Sequence, residues 1–128
     1  VAAIHAGWRG LASGVIENTI QAMDTDPSKL LVWLGPAIGP SHFEVGEDVF
    51  SAFIKHDPEA EKAFIPKQSG KWMADIYALA EQRLNALNIH SIYGGEYCTY
   101  SQEKQFFSYR REKGQTGRMA SVIWFERT

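Results

Sequence analysis

Residues 35–40 read Gly-Pro-Ala-Ile-Gly-Pro, two prolines and two glycines in six positions, and neither a helix nor a sheet ladder can run through such a stretch. A shaped loop must therefore join the segments on its two sides. Upstream, residues 1–5 are small and apolar, start without an initiator Met and read as a strand already under way. Gly7 and Gly10 bracket Trp8 and Arg9, and residues 11–23 then place Leu11, Val15, Thr19, Ala22 and Met23 near one helical face. Asp24, Asp26, Pro27 and Ser28 end that helix, because Pro cannot continue it and Asp and Ser favour turns. The continuous apolar run at residues 30–34 has strand length and the look of a strand covered on both faces.

Downstream, residues 44–56 carry Val45, Val49, Phe50 and Phe53 at helical spacing, with Glu47 and Asp48 in the first turn where the helix dipole favours acids. Residues 57–70 are polar and mixed in charge. Residues 72–87 return to helical periodicity through Trp72, Ile76, Leu79, Ala80, Leu84 and Leu87. Residues 89–93 alternate and end at Gly94-Gly95, residues 119–125 are rich in β-branched and aromatic side chains, and both segments predict strands. No repeat, low-complexity tract or linker interrupts the sequence, so the reading is one α+β domain, or part of one, over residues 1–128.

Composition narrows the function classes. The 128 residues are 45% apolar and 22% charged, near globular averages. Thirteen Lys and Arg against fifteen Asp and Glu leave a net charge of -2 with no long block of either sign, which gives no support to a nucleic-acid or anionic-membrane partner. The single cysteine, Cys98, rules out an intramolecular disulfide framework and a multi-cysteine zinc site, and with no signal-peptide pattern at the start the default compartment is the cytoplasm.

His5 stands at the end of the first expected strand, just before the Gly-rich turn, where a side chain can point into a cleft from a rigid backbone. It reads either as a metal ligand or proton carrier, or as a core histidine satisfied by one hydrogen bond. Its neighbours add a stacking face in Trp8, an anion-binding fork in Arg9 and glycines that let backbone approach a ligand, with free N–H groups at the start of the following helix. No dinucleotide GxGxxG or phosphate-binding loop is present, so site and scaffold both stay open. The loop at residues 35–46 reads as a pocket wall or as a rigid crossover; His42 and Glu44 within it lack a third metal partner. Cys98 reads as a half-buried thiol or a nucleophile, and His56 as a surface residue. Phe106, Phe107, Arg110 and Arg111, followed by Arg118, can cradle a base and its phosphate or simply cover an aromatic strand.

Taken together, His5-Ala6-Gly7-Trp8-Arg9-Gly10, Gly35-Pro36-Ala37-Ile38-Gly39-Pro40 with Phe43-Glu44-Val45-Gly46, Cys98-Thr99, Phe106-Phe107-Ser108-Tyr109-Arg110-Arg111 and Thr116-Gly117-Arg118-Met119-Ala120 resemble the YfiH family, also called the laccase-domain or polyphenol-oxidase family. The motifs are those of the C-terminal half of that family's domain, which implies that this chain is the C-terminal portion of a longer domain. The resemblance further implies a four-layer α/β/β/α arrangement of mixed sheets and flanking helices, and a zinc site, with copper as the alternative, held by two histidines and a cysteine. His5 matches the last of those ligands; the other two belong to upstream motifs, and Cys98 belongs to a different one. An open-coordinate set of this kind is the pattern of a catalytic metal.

The resemblance implies activities that include purine nucleoside phosphorolysis with adenosine deamination, copper-dependent oxidation of polyphenols, and cytoplasmic editing of peptidoglycan precursors, for which an upstream Cys and His5 would pair as nucleophile and base. Four scattered histidines do not supply the ligands of several coppers, which argues against oxidation. The leading expectation is a metal-dependent purine nucleoside phosphorylase and deaminase whose partners are a purine nucleoside and phosphate. In it, His5 is the metal ligand, Arg9 and Arg110 are anion contacts, and Trp8 or Phe107 is the wall for the base. Only His5 comes from the family; the other roles are inferred from residue type. An inactive fragment is the remaining alternative, and the oligomeric state is left open.

Overall fold

The computed structural model describes residues 1–127, which form a mixed α+β fold as the hydrophobic patterns predict. Helices α1 (Trp8–Ser13) and α2 (Val15–Met23) replace the one helix expected over residues 11–23. The reason is Gly14, whose φ of +97° is left-handed and cannot continue a helix. The break also changes the buried face. Leu11, Ile16 and Ile20 enter the core, whereas Ala22, expected there, is exposed.

Residues 1–5 are not a strand. They pair with no strand among the described residues, and Val1 and Ile4 are exposed, so the apolar pattern alone has no ladder to join. The same holds for residues 119–125, where Val122, Ile123, Trp124 and Phe125 all face outward without pairing. Strand β1 (Val32–Leu34) does form, but only one face is covered: Leu31 is 77% and Trp33 57% exposed. It pairs in parallel with β5 (Ile92–Gly94), Trp33 opposite Tyr93.

The second sheet is antiparallel, in the order β2 (Glu44–Val45), β4 (Trp72–Ala74), β3 (Phe64–Pro66). Trp72, expected on a helix, therefore lies in a strand. Asp75 next to it caps α4 (Ile76–Ala86) by accepting the Ala78 N–H, so the helix starts four residues later than its periodicity predicts. Helix α3 (Glu47–His56) buries Val49 and Phe53 as expected, with Val45 buried in β2 just before it. Phe50 of α3 stacks on Trp72 at 4.4 Å and meets the edge of Phe64, which seals the helix onto this sheet.

Phe53, Leu11, Leu79 and Ile89 are the largest fully buried side chains, so the core is shared by α1, α3, α4 and the turn after α4. Arg83 of α4 is buried among them, 2.8 Å from Glu17 of α2, and its guanidinium lies over Phe53. Among the described residues no helix is long and apolar enough to cross a membrane.

Gly94 ends β5 with φ at +83°, and a Cβ there would collide with the Leu34 carbonyl oxygen across the sheet. Gly94→Ala is expected to lower unfolding stability by about 2 kcal/mol or more, from combined backbone strain and steric clash. An unchanged denaturant midpoint for the variant would contradict this account of the β1–β5 pair.

Candidate functional site

The first motif forms the start of α1. Gly7 caps the helix without a side-chain bond, Trp8 packs its ring partly against the core, and the Arg9 guanidinium lies 4.7 Å over that ring. A guanidinium that shares its flat face with an indole keeps its N–H edge for an anion. His5 is exposed, with its ring beside Gly7, so it is not a core histidine. With six residues α1 is short, and its dipole adds less to anion binding than the long helix the sequence predicts.

The other motifs converge on one another. Ala37 bridges Cys98, the Gly39 N–H donates to Cys98 Sγ at 3.2 Å, and His42 stacks on Tyr100 at 4.4 Å. The Tyr77 hydroxyl, from the first turn of α4, accepts the Ala37 N–H and donates to the Tyr97 carbonyl, both at 2.7 Å. Arg110 donates to the Glu44 carbonyl at 2.6 Å and lies over the Phe43 ring, which ties the last loop to β2. Phe107 is half exposed and its ring packs over Gly117. The loops that carry residues 35–46, 98–101, 106–111 and 116–117 thus form one assembly, although they are far apart in sequence. Among the described residues no hydrogen bond or ion pair joins this assembly to His5, Trp8 or Arg9.

An open cleft of about 450 Å³ lies along the assembly, lined by Pro40, His42, Tyr77, Glu81 and Cys98 among others. Burial pushes the Cys98 thiol up, but hydrogen bonds from Ser101, Gly39 and Tyr100 outweigh it and hold the thiol below its ordinary value. Tyr77 is shifted upward, chiefly by burial, and so stays a neutral donor. Glu44 is held below the usual carboxylate range by its hydrogen bond and charge pairing with Lys67, with Lys71 and Arg110 adding to it.

Sequence reasoning missed Tyr77 and Arg83, since a lone Tyr or Arg on a helical pattern gives no sign of the distant segment it serves. It chose Arg110 over its neighbour Arg111 as an anion contact on residue type alone. Only Arg110 is exposed, whereas Arg111 is spent on the protein itself.

The metal implied by the motifs can be tested against the donors present. Among the described residues no three His, Cys, Asp or Glu side chains gather in a group able to hold a metal ion. His5 is one donor, and Cys98 Sγ faces the Gly39 N–H. The described residues therefore do not make a complete metal site by themselves.

Because its thiol is held below the ordinary range, Cys98 is expected to alkylate with iodoacetamide along a pH profile whose midpoint lies below that of a free thiol. The proton leaves more easily in the fold than in the unfolded chain, so this contribution favours folding at high pH and fades as pH falls through the folded value. A midpoint at or above that of the urea-unfolded chain would contradict the hydrogen-bond account.

Comparison with known proteins supplies the family. Residues 1–126 match the family model described as multi-copper polyphenol oxidoreductase laccase. The chain is 52% identical to a Haemophilus influenzae protein named purine nucleoside phosphorylase, over 98% of this chain and 52% of that protein. It is 54% identical to purine nucleoside phosphorylase YfiH of Escherichia coli, over 97% of this chain and 50% of that protein. The crystal structure of a Neisseria meningitidis protein, 52% identical, superposes with a TM-score of 0.86 over 88% of this chain and 46% of that one. That of YlmD from Geobacillus stearothermophilus, 32% identical, gives 0.82 over 88% and 44%. The chain spans about half the length of the curated relatives it matches. With nearly every residue inside the match, the chain belongs to the multi-copper polyphenol oxidoreductase laccase family, the YfiH family that its motifs resemble.

Proposed function

We propose that this chain is the C-terminal portion of a longer cytoplasmic enzyme, and that the enzyme cleaves purine nucleosides with phosphate and also deaminates adenosine. The observation that carries the reading is identity above 50% to proteins named purine nucleoside phosphorylase, over almost the whole of this chain. In phosphorolysis a phosphate oxygen attacks C1′ of the ribose while the bond from C1′ to the purine nitrogen breaks. The purine leaves with the bonding electrons and takes up a proton. The protein must therefore hold an anion and a flat ring on either side of a sugar on which positive charge develops.

The residue types fit that demand. Arg9, with its N–H edge free of the indole beneath it, and Arg110, at the surface over Phe43, are the anion contacts. Trp8 and Phe107 are the flat walls for the purine. His5 is proposed as one donor to a metal, zinc or copper, whose remaining ligands lie in parts of the enzyme that this chain does not contain. The family model's description speaks of copper and polyphenols, whereas the relatives above 50% identity are named purine nucleoside phosphorylase, so nucleoside chemistry is preferred over polyphenol oxidation.

The test is hypoxanthine release from inosine by the full-length protein, with and without phosphate. Release is expected to require phosphate and to be lost in His5→Ala. Arg9→Ala is expected to raise the KM for phosphate by roughly 10- to 100-fold, the worth of one charge-assisted hydrogen bond. Release without phosphate, or none from the folded, metal-loaded protein, would overturn the reading.

A further inference from the structure

Arg111 lies where two of the motif loops meet. Its Nη1 donates to the carbonyls of Thr99 at 2.7 Å and Tyr100 at 2.8 Å, and its Nη2 donates to the carbonyl of Phe106 at 2.8 Å and to Glu112 Oε1 at 2.9 Å. Its Nε donates to the same Glu112 oxygen at 3.3 Å. A guanidinium has five N–H donors, and here every one has an acceptor within the protein. The side chain is only 16% exposed. Arg111 therefore has nothing left with which to bind phosphate, in contrast to Arg110 beside it.

The three carbonyls it gathers belong to two loop segments, residues 99–100 and residue 106. Tyr100 carries the ring that stacks on His42, and Phe106 is followed directly by Phe107. Residues 98–99 are held to Ala37 by a single bridge and residue 106 to Gln102 by a turn, and the planar fork is what ties the two segments to each other. We propose that Arg111 is a positioning residue for the nucleoside site, which fixes the backbone at residues 99–100 and 106 so that Phe107 and Arg110 stand ready for the purine and its anion. This rests on the phosphorylase reading of the site. Lysine cannot replace it, because a tetrahedral ammonium with three donors does not span three carbonyls that a flat fork reaches.

The experiment compares the full-length native protein with Arg111→Lys and Arg111→Ala, measuring inosine phosphorolysis and amide hydrogen exchange of residues 98–112. Both variants are expected to raise the KM for inosine by about tenfold while kcat stays within about twofold, the pattern of lost uniform binding. Exchange in the segment should quicken. A purely structural role would instead remove active molecules, lowering kcat at unchanged KM, and that result overturns the proposal, as does a Lys variant that behaves like the native protein. If the Ala variant does not fold, the Lys variant carries the comparison, and loss of the fold in both makes Arg111 a folding residue and overturns the proposal. Native protein that releases no hypoxanthine overturns the phosphorylase reading and the positioning role with it, whereas an active native protein with unaltered variants overturns the positioning role alone.

Discussion

The hydroxyl of Tyr77 is the point on which the candidate site depends. It takes the Ala37 N–H on one side and gives its proton to the Tyr97 carbonyl on the other, so one phenol fastens the Pro/Gly loop and the segment after β5 to the start of α4. The loop at residues 35–40 has little ladder of its own and needs such an anchor. Once Ala37 is set, its bridge to Cys98 and the bond from Gly39 to Cys98 Sγ form along the same seam. His42 on Tyr100 and Arg111 on the Thr99 and Tyr100 carbonyls then extend the assembly outward. Burial keeps the phenol neutral, which is the state that can donate and accept at once.

The α+β class was legible because the helical stripes of α3 and α4 are strong: Val49, Phe53, Leu79, Ala80 and Leu84 are all buried where the pattern places them. Boundaries were legible only where a cap or breaker shows itself. Asp75 could have moved the start of α4 past Trp72, and Gly14 could have split the first helix, yet each is a single residue inside a longer apolar pattern that points the other way. The strands expected at residues 1–5 and 119–125 find no partner among the described residues for a different reason. An apolar, β-branched run says that a segment suits a sheet, but whether a neighbour lies beside it is a property of the whole fold.

The candidate site was legible as a set of motifs and not as a geometry. Glycines, prolines, aromatics and arginines marked five motifs, and the structure brings the loops of four of them together, while no hydrogen bond or ion pair among the described residues joins the His5 motif to them. What the sequence could not show was the physical reason for preferring one neighbour over the other. Arg110 and Arg111 are the same residue type one position apart, but one stands over Phe43 at the surface and the other spends every donor on the protein. The metal shows the same limit. His5 was singled out by its motif, and no group able to hold a metal ion assembles around it among this chain's described residues.

The proposed phosphorolysis requires that the purine nucleoside and phosphate meet the His5 motif or the Phe107 and Arg110 loop. Its most direct test is a crystal structure of the full-length protein with hypoxanthine and phosphate bound. The account predicts the purine ring packed on Trp8 or Phe107 and the phosphate within hydrogen-bond reach of Arg9 or Arg110. Ligands bound at a place that touches none of these four side chains would contradict it.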